Sequence, residues 1–187
     1  VDEAERIARG PTTRPVVLAA HDPRWAEDAR RYADAIALAL GEASVTVHHI
    51  GSTSIPNIDA KPIIDLMPIV SSLDAIDARR AALEAIGYTW WGEFGLVGRR
   101  FCILETADGA RRVHAHGYAA GDAAIARHLA FRDYLRAHPA EAHAYEIEKR
   151  RAAQIHPESS RAYTEEKSAF VRRTLEAALA WYGDGSR

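Results

Sequence analysis

The sequence predicts an α+β fold, with a mixed α/β half followed by an all-helical half. Two observations carry this. Between Val45 and Gly117, short apolar or alternating runs recur between glycine and proline turn signals, as strands do. From Asp122 onward Ala, Arg, Glu and Leu dominate, and Pro139 and Pro157 divide three helical stretches. The expected organisation is a flexible N-terminal arm over 1–13 and a single domain over 14–187, mixed over 14–118 and helical over 119–187.

Each element follows from local chemistry. Arg14–Ala20 (RPVVLAA) reads as a short strand or an extended lead-in. Asp22 precedes Pro23, a favoured first-turn residue, and so is the expected N-cap. Trp25, Ala29, Tyr32, Ile36 and Leu40 then recur at helical spacing until Gly41. Val45–Ile50 (VTVHHI) alternates as a strand and ends in the polar turn Gly51–Ser54. Ile63–Val70 (IIDLMPIV) is the apolar run of a buried strand, although Pro68 either weakens that reading or places its far half at a sheet edge. Asp74–Ile86 reads as a helix closed by Gly87, and Tyr88–Trp91 as a strand. Arg100–Glu105 and Arg111–Gly117 flank Asp108-Gly109, a hairpin signal. Asp122–Ala137, Ala140–Ile155 and Ser160–Tyr182 complete the helices.

The chain has 187 residues, 48% of them apolar, and a formal net charge of −2, which argues against a broad basic face for duplex nucleic acid. One cysteine, Cys102, cannot form an internal disulfide and reads as a small buried strand residue, in keeping with a reducing, cytoplasmic setting. No run of about 18 apolar residues is present, so no membrane span is expected. The opening VDEAERIARG is charged and lacks a signal-peptide core.

The chemistry concentrates in His49–Met67, HIGSTSIPNIDAKPIIDLM. A strand ending in Gly51-Ser52 suits an anion: glycine lets the backbone approach a phosphate, and exposed N–H groups and the Ser52 or Thr53 hydroxyl can donate to it. Asp65 sits in an apolar strand, where a carboxylate is costly unless paired or bound to a cation. Mg²⁺ bridging Asp65 and a nucleotide phosphate would supply that partner, and Lys61 is placed to neutralise either group. The alternative is an ordinary turn, with Asp65 paired to a structural lysine or arginine.

Three further clusters are candidates. Gly92–Arg100 is a glycine-rich loop ending in Arg99 and Arg100, whose guanidinium forks match phosphate; the alternative is a solvated surface loop. His114 and His116 alternate onto one strand face, which suits ligation, acid–base work or plain solvent exposure. Tyr145/Lys149 and Tyr163/Lys167 are each four apart on a helix, so each pair shares a face that reaches a triphosphate over the sheet or simply faces solvent.

Taken together, the motifs resemble the GrpB family, a branch of the polymerase-β-like nucleotidyltransferase superfamily. The resemblance rests on Asp22-Pro23-x-Trp25, HIGSTSIP at 49–56, AKPIIDLM at 60–67 and GE-x-G-x-x-GRR at 92–100. It continues through the His114-x-His116 strand, RHLAFRDYLRAHP at 127–139, Tyr145…Lys149 and Tyr163…Lys167…Phe170, and spans Val17 to Leu179. It implies a nucleotidyltransferase-like mixed β-sheet flanked by helices, with a helical C-terminal half. By motif match, Gly51 and Ser52 take the phosphate role and Asp65 the first metal-ligand role. The superfamily's second acid would stand two residues after Asp65, where this chain has Met67. Glu93 or Glu105, or the His114/His116 pair, would have to supply the missing ligand.

The function so implied is a transferase using Mg²⁺ (or Mn²⁺) and a nucleoside triphosphate, ATP first among them, to move a nucleotidyl or phosphoryl group to a small-molecule acceptor. In it Arg99, Arg100, Lys149 and Lys167 offset phosphate charge and His114 or His116 takes the acceptor proton. The alternatives are a non-catalytic nucleotide- or CoA-type ligand-binding module and a folding or interaction partner of another protein.

Overall fold

Trp25, Ala29, Ile36 and Leu40 are all buried, which is why Arg24–Leu40 forms the first helix, α1. Burying side chains such as Ile36 and Leu40 contributes about 1.5–3 kcal/mol each. The computed structural model describes residues 13–183; apart from Thr13, the arm expected over 1–13 lies outside the described residues. Pro23 occupies the cap position of α1, and Asp22 reaches past it to accept the Arg24 amide at 2.9 Å. The Arg14–Ala20 segment is an extended lead-in rather than a strand, held by an antiparallel bridge from Ala19 to Ala60, by the Val16 amide on the Pro157 carbonyl and by Arg14 on Glu105.

Five strands follow: β1 (Ser44–Ile50), β2 (Ile64–Val70), β3 (Tyr88–Trp90), β4 (Arg99–Glu105) and β5 (Arg111–Ala119). They form one sheet in the order β1-β2-β5-β4-β3, with β2 and β5 parallel and the other pairs antiparallel. β2 is therefore an interior strand, and its far half is not at an edge as Pro68 suggested. The parallel ladder pairs Leu66 with Ala115 and resumes at Ile69 with Tyr118, so it passes over Pro68, which has no N–H to give. Between β4 and β5, Gly109 takes φ +80° and closes the expected hairpin by donating to the Thr106 carbonyl at 2.8 Å.

Two expected helices are each broken. Asp74–Ile86 is α2 (Leu73–Asp77) and α3 (Arg80–Ala85), with Arg79 between them at φ −101°, ψ 6°. After α4 (Ala123–Ala137) and α5 (Pro139–Ile155), Ser160–Tyr182 is α6 (Ser160–Glu166) and α7 (Ser168–Gly183), broken at Lys167. Asp122 caps α4 by accepting the Ala124 amide at 2.8 Å, and Ser159 caps α6 at Ala162.

The sheet has two covered faces. Leu66, Val70, Val113, Ala115 and Cys102 pack with Trp25, Ala29, Ile36 and Leu40 of α1. On the other face Ile50, Met67, Ile69 and Tyr118 pack with Ala124, Ile125 and Leu129 of α4. A third cluster joins Ile55 and Ile58, from the loop after β1, to Leu135 of α4 and Tyr145 of α5. The α4 face of the sheet also carries Asp65, His114 and His116, so the helical half lies over those residues.

Candidate functional site

Register builds the site. Ile50 pairs with Asp65, and Asp65 pairs with His114. His116 is two residues on, on the same face. The end of β1, the start of β2 and the middle of β5 thus meet. His114 Nδ1 stands 3.3 Å and His116 Nε2 3.4 Å from the same oxygen, Asp65 Oδ1. Burial would raise the Asp65 carboxyl, but the hydrogen bonds from His114 and His116 outweigh it and hold the group well below the usual carboxylate range. Burial also lowers the His114 pKa, against the pull of Asp65.

At the end of β1 the chain turns through Gly51 at φ +70°, ψ −174°, a conformation that essentially only glycine adopts. Ser52–Ser54 then form one 3₁₀ turn. Its first N–H groups, on Ser52 and Thr53, have no carbonyl within the turn to accept them. Ser54 closes it with its hydroxyl on the Gly51 carbonyl at 2.6 Å, and Thr53 Oγ1 meets His49 Nε2 at 2.9 Å. Two arginines of α4 brace it from outside: Arg132 donates to the His49 carbonyl and Arg136 to the Ser54 carbonyl.

A cavity of about 400 Å³ lies over this junction, lined by Gly51, Ser52, Thr53, Lys61, Asp65, His114, His116, His128, Tyr145, Tyr163 and Lys167, with Ile50, Ile63 and Thr164. Its size is that of a small-ligand site. Lys61 and Lys167 hold their ammonium groups 5.3 and 5.5 Å from the Tyr163 ring centre, and among the described residues neither forms an ion pair with a carboxylate. Burial lowers the Lys61 pKa, partly offset by Asp65. Next to the cavity, and sharing Gly51, His128, Tyr145 and Lys167 with it, is a groove of about 580 Å³ with apolar walls that include Leu96, Val97, Phe131 and Val171. A groove of about 620 Å³ beside α1 is larger still. Of its charges, Arg24 pairs with Asp22 and Arg31 with Asp28.

The GrpB protein family model matches residues 15–177. The chain belongs to the GrpB family. The UPF0157 protein YqkA of Bacillus subtilis (strain 168) is 40% identical over 168 residues, which are 90% of this chain and 48% of YqkA, so the chain spans about half the length of that relative. The crystal structure of GrpB from Enterococcus faecalis matches with a TM-score of 0.84 at 41% identity, over 89% of this chain and 99% of that one. Cid1 poly(U) polymerase, in a crystal structure described as Mg 3'-dATP bound, aligns with a TM-score of 0.54 at 15% identity, over 80% of this chain and 49% of that one. The fold is therefore nucleotidyltransferase-like. No helix among the described residues is long and apolar enough to cross a membrane.

Within this GrpB fold, five residues expected at the site stand elsewhere. Arg99 is buried beneath its own loop, donating to the Glu93 and Phe94 carbonyls with its guanidinium 4.8 Å from the Phe101 ring centre. Arg100 is held by a two-pronged pair with Asp77, at 2.6 and 2.7 Å. Glu93 accepts the Gly98 amide, and Glu105 pairs with Arg14 and Arg111, so neither joins the Asp65 cluster. Lys149 is only 1% exposed and donates to the Asp59 carbonyl; burial lowers it to about 7. Met67 shares the Asp65 face but is fully buried in the apolar layer, so no second carboxylate stands on β2.

His128 was not anticipated. It stands on α4, its ring centre 6.1 Å from that of His116, and burial lowers it to about 4. With Arg127 it forms a polar pair between the apolar runs Ala123–Ala126 and Leu129–Phe131, the local signal that could have found it.

Proposed function

We propose that this GrpB chain binds a nucleoside triphosphate together with one divalent cation in the cavity over Asp65, and transfers a nucleotidyl or phosphoryl group from it to a small-molecule acceptor. One observation carries the reading: a glycine turn, a carboxylate–imidazole cluster and two lysines without carboxylate partners among the described residues converge on one cavity. The Cid1 match, to a structure with Mg 3'-dATP bound, supports it at the level of fold.

Gly51 would let the phosphates approach the backbone, with Ser52 and Thr53 donating to their oxygens. Lys61 and Lys167 would offset the charge of the phosphates, and Tyr163 would fix both lysines. The apolar groove next to the cavity would take the base. The donor set at Asp65, His114 and His116 fits one cation; a pair of ions bridged by two carboxylates of β2 does not fit, because Met67 is apolar and buried. When bound, the cation would withdraw charge from the phosphate oxygens. His114 and His116 are committed to Asp65, which leaves His128 to take the proton of the acceptor hydroxyl. Phosphate charge nearby would raise its basicity toward the working range. The acceptor oxygen–phosphorus bond forms as the bridging phosphorus–oxygen bond breaks, releasing pyrophosphate or a nucleoside diphosphate.

The test is to incubate the protein with α- or γ-labelled ATP, a divalent cation and a panel of hydroxyl and phosphate acceptors, and to follow the label. Transfer by the unmodified protein and none by Asp65→Asn supports the reading. Tight binding without transfer by the unmodified protein would make the chain a non-catalytic binding module.

A further inference from the structure

We infer that Asp65, His114 and His116 form a one-carboxylate, two-imidazole site for a borderline transition-metal ion of the Zn²⁺ class, not a Mg²⁺ site. The inference deepens the reading of the same cavity and rests on it for what the ion would act on, but occupancy of the site needs no nucleotide.

Backbone pairing sets the three donors. Asp65 and His114 are register partners on parallel strands, and His116 follows on the same face. One donor atom from each can be chosen so that all three lie within 4.8 Å of one another. Two separations, 3.3 and 3.4 Å from a single carboxylate oxygen, bear on the choice of ion. They are long for a charge-assisted hydrogen bond, which settles at about 2.7–2.9 Å. They are compatible with two ligands on a tetrahedral ion with bonds of about 2.0–2.1 Å, which stand roughly 3.3–3.4 Å apart. Octahedral Mg²⁺ with similar bonds sets adjacent ligands roughly 2.9 Å apart.

Donor chemistry points the same way. Mg²⁺ prefers oxygen and keeps much of its water, whereas imidazole suits Zn²⁺ and its neighbours. The other carboxylates that would make an oxygen-rich site are absent or engaged: Met67 is buried apolar, and Glu93 and Glu105 are held elsewhere. Phe101 packs against both imidazoles, with ring centres 5.5 and 5.0 Å away, and holds the rings in a poorly hydrated setting. The fourth position would face the cavity and the Gly51 turn, open to a water or a phosphate oxygen.

The experiment uses the whole protein stripped with a chelator and titrated, without nucleotide, with Zn²⁺, Co²⁺, Mn²⁺ and Mg²⁺. Calorimetry, thermal denaturation and the visible spectrum of Co²⁺ are the readouts. The inference expects one equivalent of Zn²⁺ to bind at micromolar concentration or below and raise the melting temperature. Co²⁺ should show the intense visible bands of a tetrahedral site, and Mg²⁺ should leave the protein unchanged at millimolar concentration. Asp65→Asn and His116→Gln should each weaken Zn²⁺ at least about tenfold, and His143→Ala, at an exposed histidine outside the cavity, should not. Circular dichroism checks that each variant is folded, and His116→Gln keeps the test sharp if Asp65→Asn is not. Mg²⁺ binding as tightly as Zn²⁺, or Zn²⁺ affinity unmoved by either site variant, would overturn the inference. Zn²⁺ binding by a protein that binds no nucleotide would uphold it while removing the function proposed above, and Mg·ATP binding by a protein that ignores Zn²⁺ would do the opposite.

Discussion

Gly51 stands directly against Asp65: a Cβ on Gly51 would collide with Asp65 Oδ2 and lie 2.9 Å from the Asp65 Cβ. The register partner of Asp65 is Ile50, so the chain makes its turn right beside the acid. The phosphate turn and the carboxylate are therefore one structural unit, and neither can shift alone.

Gly51→Ala should show this directly. Its backbone conformation is strained for any other residue, and the new methyl group must push the carboxylate away. The expected loss is about 2–3 kcal/mol, read as a fall of roughly 5–10 °C in melting temperature. Nucleotide binding should vanish even in the folded fraction.

Lysines and arginines near the glycine-rich elements should separate cleanly. Lys61→Met and Lys167→Met remove charges that face the cavity without a carboxylate partner among the described residues, so ATP affinity should drop about tenfold or more in calorimetry while the melting temperature holds. Arg99→Met should do the reverse. It leaves the Glu93 and Phe94 carbonyls without their donor, at a cost of about 1–3 kcal/mol in denaturant unfolding, with ATP affinity unchanged.

His49–Met67 announced the site because its chemistry is local: a turn after a strand, and an acid fifteen residues or fewer away along the next strand. His114 and His116 were legible from alternation alone. The glycine-loop arginines misled because their partners are set by packing. Asp77, which holds Arg100, lies 23 residues earlier and carries no mark of that pairing. Strand order was hidden for the same reason: nothing in Pro68 says that the ladder beside it can pass over one missing donor. The breaks at Arg79 and Lys167 fall inside continuous helical patterns and depend on what the helices meet.

Asp59 ties the loop after the turn to α5. Its amide donates to Glu146 Oε1 at 2.8 Å, its carbonyl accepts from Lys149, and its carboxylate takes the Arg150 guanidinium at 2.9 and 2.7 Å. Glu146→Ala should cost about 2–4 kcal/mol in urea unfolding, because it orphans the Asp59 amide beside buried Lys149. Glu146→Gln, which keeps an acceptor, should recover part of that loss.

Stability should fall as the solution is acidified from pH 7 to pH 4.5. Burial lowers both His49 and His128 to about 4, below the unfolded value of about 6.5. The unfolded chain thus takes up protons first, and stability present above pH 6.5 is lost as pH falls toward 4. Melting curves across this range check it, and His49→Gln and His128→Gln should each flatten the slope.

The central claim is that the cavity over Asp65 binds a nucleoside triphosphate, and isothermal titration of the unmodified protein with ATP in the presence of Mg²⁺, Mn²⁺ or Zn²⁺ tests it most directly. The account predicts saturable binding at one site with at least one of these ions, weakened about tenfold or more in Lys61→Met. Absence of heat at millimolar ATP with all three ions, from protein shown to be folded, would contradict it.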